Sequence, residues 1–497
     1  MGHERRTRGV PGTRTTGGTR GTRRTGKAWA AGAVALAAAV AGPVPVAQAG
    51  QAGQAGQAAH APQAGQVART GPSAQAGQGA QTGQGAQTDT TGQAGHTGSS
   101  PERAVLGAGD GWASEGTGTT GGSAAVASRV FTVTTWEEFR AALAVPGTEP
   151  RIVRVVGTLD ATAAGCSAFE EPGYDFGAYL AAYDPKVWGY DKEVSGPQED
   201  LRAASAARQG QAVKVKVPAN TTVVGVGRSA GITGGSLQIT GVDNVIVRNL
   251  TLESPLDCFP QWDPTDGATG AWNSEYDSMV VYGSTHVWID HNTFTDGAHP
   301  DSSLPSYYGE LYQQHDGELD IVRGADLVTA SWNVFADHDK TLMIGNSDSA
   351  AATDRGKLRV TLHHNLFKNV VERAPRVRFG KVDAYNNHFV VPGPPYAYSL
   401  GIGQESQLVA EKNAFTLAEG VPAGRILKKW KDAPVTTSGN LVNGRAVDLL
   451  AVHNAEFPGE VLRADAGWTP TLRARVDRPQ ALPGLIGHRA GAGRTLR

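Results

Sequence analysis

A β-rich run closed by Asn-x-Phe recurs five times in the second half of this chain, and it constrains the fold more than any other feature. The runs end at Asn292-Thr293-Phe294, Asn333-Val334-Phe335, Asn365-Leu366-Phe367, Asn387-His388-Phe389 and Asn413-Ala414-Phe415. Successive asparagines are 41, 32, 22 and 26 residues apart. Strand-rich units repeating every roughly 20–50 residues belong to solenoids or propellers. The shortest steps leave too little chain for a four-stranded propeller blade. The spacing therefore predicts an all-β fold: a right-handed parallel β-helix, a single-stranded solenoid with long functional loops. Each unit is one coil that cannot bury its apolar face alone, so stacking supplies the core. The Asn column then reads as structural, with side-chain amides hydrogen-bonded from coil to coil as in cross-β ladders. Longer steps mean loop insertions, which is where such folds carry function. The richest insertions, around 253–277 and 296–320, hold a set of acidic residues.

The front of the chain reads differently. Residues 1–27 carry Arg5, Arg6, Arg8, Arg14, Arg20, Arg23, Arg24 and Lys27 against Glu4. An apolar stretch from Ala28 to about Ala41 and then Ala47-Gln48-Ala49 complete the pattern of a secretory signal peptide over residues 1–49. The apolar stretch is shorter than the roughly 20 residues of a membrane span. Residues 50–103 repeat Gln, Gly, Ala and Thr with almost nothing large and apolar to bury, which predicts a disordered linker. The remainder, 104–497, reads as one β-helix domain. The 1–49 leader has a surplus of seven positive charges, so a chain at −2 overall leaves about −9 beyond it. A mildly acidic protein does not draw polyanions by its overall field, which argues against a general nucleic-acid binder. A polyanion would need local cations. The two cysteines, Cys166 and Cys258, could pair in an exported protein or stay free, and their spacing excludes a C-x-x-C site.

Local cations are present. Glu372-Arg373-Ala374-Pro375-Arg376-Val377-Arg378-Phe379 packs three guanidiniums into six residues. Guanidinium stays protonated and grips carboxylates through a planar fork of donors. Strand alternation puts Arg376 and Arg378 on one face, with Arg373 on the turn before. Upstream stand Glu275, Asp277, Asp316 and Asp320, hard oxygen ligands from separate coils. Arginines and carboxylates in one chain suggest an anionic substrate bridged by a cation. A glycosidase with Asp316 and Asp320 as paired carboxylates is the rival enzyme reading, and it uses the arginines only for grip. His363-His364 falls in a predicted strand, one ring in and one out. Gly225-Val226-Gly227 lacks the third glycine of a dinucleotide fingerprint and reads as a turn.

From about Ala104 to Gly493 the chain resembles the pectate lyases of polysaccharide lyase family 1. Trp288-Ile289-Asp290-His291 looks like that family's W-I-D-H block, and Arg373-Ala374-Pro375-Arg376-Val377-Arg378 looks like its R-x-P-x-x-R block. Phe259 to Gly267, Tyr307-Tyr308-Gly309 and Ala490 to Gly493 are further similar segments. The resemblance implies a parallel β-helix that cleaves polygalacturonate by calcium-dependent β-elimination. It implies Ca2+ on Asp277, Asp316 and Asp320, with Glu275 at a further acidic position. It implies substrate contact by Lys340, proton abstraction by Arg373 and a uronate clamp at Arg378. The W-I-D-H block is implied to be largely structural, and Arg376 is left without a role. It further implies a secreted enzyme, monomeric and free of membrane after signal removal. A pectin lyase acting on methyl-esterified substrate, or a non-catalytic β-helix binding acidic polysaccharide, are the alternatives.

Overall fold

The computed structural model describes residues 100–494. The leader and nearly all of the linker, as well as the last three residues, lie outside the described residues. Three rows of parallel strands stack along the molecule. The first row contains Ser236–Thr240, Met279–Tyr282, Gly317–Val322, the end of Val334–Ile344, Arg376–Val377, Leu400–Ile402 and Leu427–Lys429. The second runs through Thr285–Asp290, Asp326–Ser331, Arg359–His363, Lys381–Tyr385 and Gln407–Glu411. The third runs through Thr293–Thr295, the start of Val334–Ile344, Leu366–Glu372, His388–Val391 and Ala414–Leu417. The chain is a right-handed parallel β-helix, and its inward side chains form one continuous apolar core.

The Asn-x-Phe repeat marks the corner between the second and third rows. The residue before each Asn has a left-handed backbone, with φ of 54° at His291, 56° at Trp332, 57° at His364 and 52° at both Asn386 and Lys412. That conformation is unfavourable for residues with a Cβ. It turns the chain and exposes peptide groups that the buried amides then satisfy. Asn333 donates from Nδ2 to the Ile289 carbonyl at 2.9 Å and to Asn365 Oδ1 at 3.1 Å, while its own N–H donates to the same Oδ1 at 3.0 Å. The pattern continues from Asn365 to Asn387 and from Asn387 to Asn413. Asn440 extends it by one coil, unannounced in the sequence because Val442 replaces the phenylalanine. Below the corner, Phe294, Phe335, Phe367, Phe389 and Phe415 stack with centroids 4.5–5.0 Å apart.

The W-I-D-H block supports this corner from outside. Asp290 is buried, pairs with Arg248 at 2.7 Å and accepts from Ser331 Oγ at 2.9 Å. His291 stacks on Trp332, and Trp332 on His364. His363 and His364 do not alternate in and out as the strand pattern predicts. The left-handed turn at His364 brings both rings against polar segments, with Asp110 Oδ1 3.3 Å from His363 and Asp477 Oδ2 2.9 Å from His364.

Helices decorate the solenoid where no repeat was visible. Phe176–Ala182 and Pro197–Val213 fill the connection between the strands Arg151–Asp160 and Lys214–Lys216. Pro197 at the first turn, with Glu199 and Asp200 behind it, is a readable helix start. Cys166 and Cys258 are joined in a disulfide that ties this insertion to the 253–277 loop. Tyr179, Trp262, Trp272 and Tyr312 bury a small second core there. Pro101–Arg103, assigned to the linker from sequence, is a 3-10 turn whose Arg103 donates to the Ser123 carbonyl at 2.7 Å. No described helix is long and apolar enough to cross a membrane.

Asn365→Ala removes both acceptor bonds from Asn333 and leaves a buried peptide N–H unpaired. It is expected to lower unfolding free energy by about 3 kcal/mol in urea denaturation, since each orphaned buried donor costs roughly 1–3 kcal/mol. Burial pushes the His388 imidazole down to about 4. The unfolded chain therefore binds a proton that the folded chain refuses as pH falls from about 6.5 towards 4. The stability advantage of wild type over His388→Gln should accordingly shrink by about 2 kcal/mol between pH 7.5 and pH 5.

Candidate active site

The first strand row carries the acidic and basic groups on successive coils. Val280 in Met279–Tyr282 pairs with Asp320, Asp320 with Met343, and Met343 with Arg376. Gly317 pairs with Lys340, and Lys340 with Glu372. Residues far apart in sequence thus become neighbours along one outer face.

Asp277, Asp316 and Asp320 lie close enough for their charges to interact. The Gly317 N–H donates to Asp277 Oδ1 at 2.9 Å. A Cβ on Gly317 would stand 2.7 Å from Asp277 Oδ1 and 2.9 Å from Asp320 Oδ1, so glycine leaves a cradle between the carboxylates. Burial raises the proton affinity of both Asp277 and Asp320, helped by repulsion from Asp320 and Asp316 at Asp277 and from Asp316 at Asp320. Like charges crowded out of water need a proton or a cation, and three hard oxygen donors around a glycine fit calcium. Lys340 Nζ stands 3.9 Å from Asp316 Oδ1. Glu275 does not join the three. Its carboxylate pairs with Lys214 at 2.6 Å and is largely exposed.

The three arginines have three environments. Arg373 has φ +60° and stands on the turn after Leu366–Glu372, as the sequence predicts. Its Nε donates to Glu372 Oε1 at 2.8 Å. Among the described residues nothing accepts a hydrogen bond from its terminal nitrogens. Burial works to deprotonate it, but Glu372, Tyr398, Asp316 and Asp320 outweigh that and hold its proton more tightly than usual. Arg376 is covered by Trp430, 4.1 Å from the ring centroid. Burial, then the positive Arg378 and Arg373, bring it down to about 10. Arg378 donates from Nε to Asp348 Oδ1 at 2.7 Å and from Nη1 to the Gly345 carbonyl at 2.8 Å. Asp348 also holds Lys431 at 3.1 Å, so the prospective uronate clamp already has a carboxylate partner.

Several further acidic groups had no assigned role in the sequence, although Asp266 lies inside the Phe259–Gly267 segment and Asp257 just before it. Asp257 is buried and pushed up to about 7 by burial. It accepts from the N–H groups of Phe259 and Glu275 and so joins the two edges of the 253–277 loop. Asp266 is raised by burial and by Asp263, and drawn back by the Lys340 ammonium. A second cluster, Asp296, Asp301 and His315, brings potential ligand atoms within 4.8 Å of one another. Both ring nitrogens of His315 face main-chain carbonyls, Pro255 at 3.0 Å and His299 at 2.8 Å, which blocks the approach of a metal to either.

The sequence profile described as pectate lyase matches residues 98–171 and 185–456. The chain belongs to the pectate lyase family. It is 43% identical over 402 residues to a pectate lyase of Bacillus subtilis, which covers 78% of this chain and 93% of the relative. A pectate lyase solved bound to a hexasaccharide superposes with a TM-score of 0.75 at 42% identity, over 79% of this chain and 98% of that one. Another, described for substrate specificity and an anti β-elimination mechanism, gives 0.75 at 41% identity over 80% and 100%. The protein is thus a lyase acting on polysaccharide, and the acidic and basic groups on the first strand row are its candidate machinery.

Gly317→Ala puts a methyl group into the carboxylate cradle. Calorimetric titration should show calcium binding weakened roughly tenfold or more, with the fold retained by circular dichroism.

Proposed function

We propose that this is a secreted, calcium-dependent pectate lyase that cleaves α-1,4-linked polygalacturonate by β-elimination, leaving 4,5-unsaturated oligogalacturonates. The observation that carries the reading is the Asp277, Asp316 and Asp320 cradle beside Lys340 and Arg373. Calcium held there would supply positive charge against the uronate carboxylate next to the reacting carbon. The C5 proton is very weakly acidic, and negative charge develops towards that carboxylate as it leaves. Lys340 adds a second cation on the same side. Arg373 takes the proton at C5 through a terminal nitrogen, while Glu372 fixes its Nε side. Its high proton affinity is the obstacle, and two of the groups that raise it are Asp316 and Asp320. Those are the carboxylates a bound cation would neutralise, so the base is easier to form in the loaded site. Arg378 orients a neighbouring uronate, sharing with Asp348. The C4–O4 bond then breaks as C4=C5 forms, O4 leaves and takes a proton from solvent, and no second carboxylate is required.

Arg376 offers a second reading of the base. Its proton is held less tightly than that of Arg373, but Trp430 covers it. The two readings separate by substitution. Arg373→Lys is expected to lower kcat at least roughly a hundredfold on polygalacturonate, followed by ultraviolet absorbance of the unsaturated product. Arg376→Lys should leave most of it. The reverse order assigns the base to Arg376. Chelation should abolish the signal, and highly methylated pectin should give little. Robust turnover of methylated pectin under chelator would favour the pectin lyase reading instead.

A further inference from the structure

One peptide group in the cradle is held from both sides. The peptide joining Asp316 to Gly317 donates its N–H to Asp277 Oδ1 at 2.9 Å. Its carbonyl oxygen lies 2.8 Å from Nε2 of His338. His338 belongs to Val334–Ile344, one coil further on, and its ring is fully buried. Its other nitrogen, Nδ1, lies 2.6 Å from Asp296 Oδ1, which is equally buried on the coil below. A carbonyl only accepts hydrogen bonds. Nε2 therefore donates to the Asp316 carbonyl, while Nδ1 faces the Asp296 carboxylate.

We infer that His338, oriented by Asp296, is a positioning residue that sets the plane of the Asp316–Gly317 peptide and thereby the spacing of the cation-binding carboxylates. Rotation of that plane would release Asp277 Oδ1 and swing the Asp316 side chain together, because both hang on the same peptide group. Asp296 holds the ring from its other nitrogen and so fixes the donor geometry of Nε2. The arrangement matches the general behaviour of groups behind metal ligands, whose loss costs roughly 10–100-fold in metal affinity. This inference rests on the reading that Asp277, Asp316 and Asp320 hold calcium.

The test is calorimetric calcium titration of the full-length protein and of His338→Gln, Asp296→Asn and Asp320→Asn, with kcat measured at saturating calcium. His338→Gln and Asp296→Asn should each bind calcium roughly 10–100-fold more weakly. Their kcat at saturating calcium should return to within about threefold of wild type, a separation that general loss of structure would not produce. Asp320→Asn should lose most binding. Wild-type affinity in both His338→Gln and Asp296→Asn, with Asp320→Asn impaired, overturns the inference and leaves the calcium site standing. Wild-type affinity in Asp320→Asn overturns the site itself. Lost kcat with unchanged calcium affinity also overturns the inference. If His338→Gln fails to fold by circular dichroism, Asp296→Asn alone decides.

Discussion

The rest of the molecule depends on the asparagine amide at one corner of each coil. A solenoid coil must turn sharply there, and the left-handed residue that makes the turn leaves peptide groups buried without strand partners. The amide offers one acceptor and two donors in a plane, enough to bond the coil before it and reach the coil after. Serine or aspartate could not do both. Because each amide satisfies the one beneath, coil height at this corner is set by hydrogen bonding, and the phenylalanine stack follows the same pitch.

That pitch is what makes the site possible. Asp277 just before Met279–Tyr282, Asp320 in Gly317–Val322, a lysine from Val334–Ile344 and arginines from the next coil are brought into line by strand pairing. Their electrostatics are then unfavourable in isolation. Asp277 and Asp320 are buried against one another, and Arg376 lies between two other arginines. A stable scaffold can keep like charges close, and a ligand with complementary charges relieves them.

The repeat was legible because its chemistry is local: an Asn and a Phe two residues apart, seen five times. Asp277, Asp316 and Asp320 were singled out through the family resemblance. Glu275 illustrates the limit. In extended chain it shares a face with Asp277, yet its carboxylate goes to Lys214, 61 residues away, which no local pattern announces. The same holds for Asp348 beside Arg378, Trp430 over Arg376 and His338 behind Asp316. Each pairing joins different coils, and the variable insertions between coils hide the register. His363 and His364 failed for another reason, since alternation ends where the backbone turns left-handed. The helix Pro197–Val213 had a readable start but sits in an insertion, outside the period that guided the reading.

The disulfide has a mechanical consequence. Solenoids can come apart from an end, one coil peeling from the next, because each touches only its neighbours. Cys166 and Cys258 are 92 residues apart, and between them the chain contributes strands to all three rows. The covalent ring threads that first stretch of coils into a closed loop. Peeling from the amino-terminal end must therefore stop at the ring or lift it as a whole, so the early coils unravel as one unit. The 253–277 loop is fastened to that unit, and its order is tied to a bond rather than to packing alone.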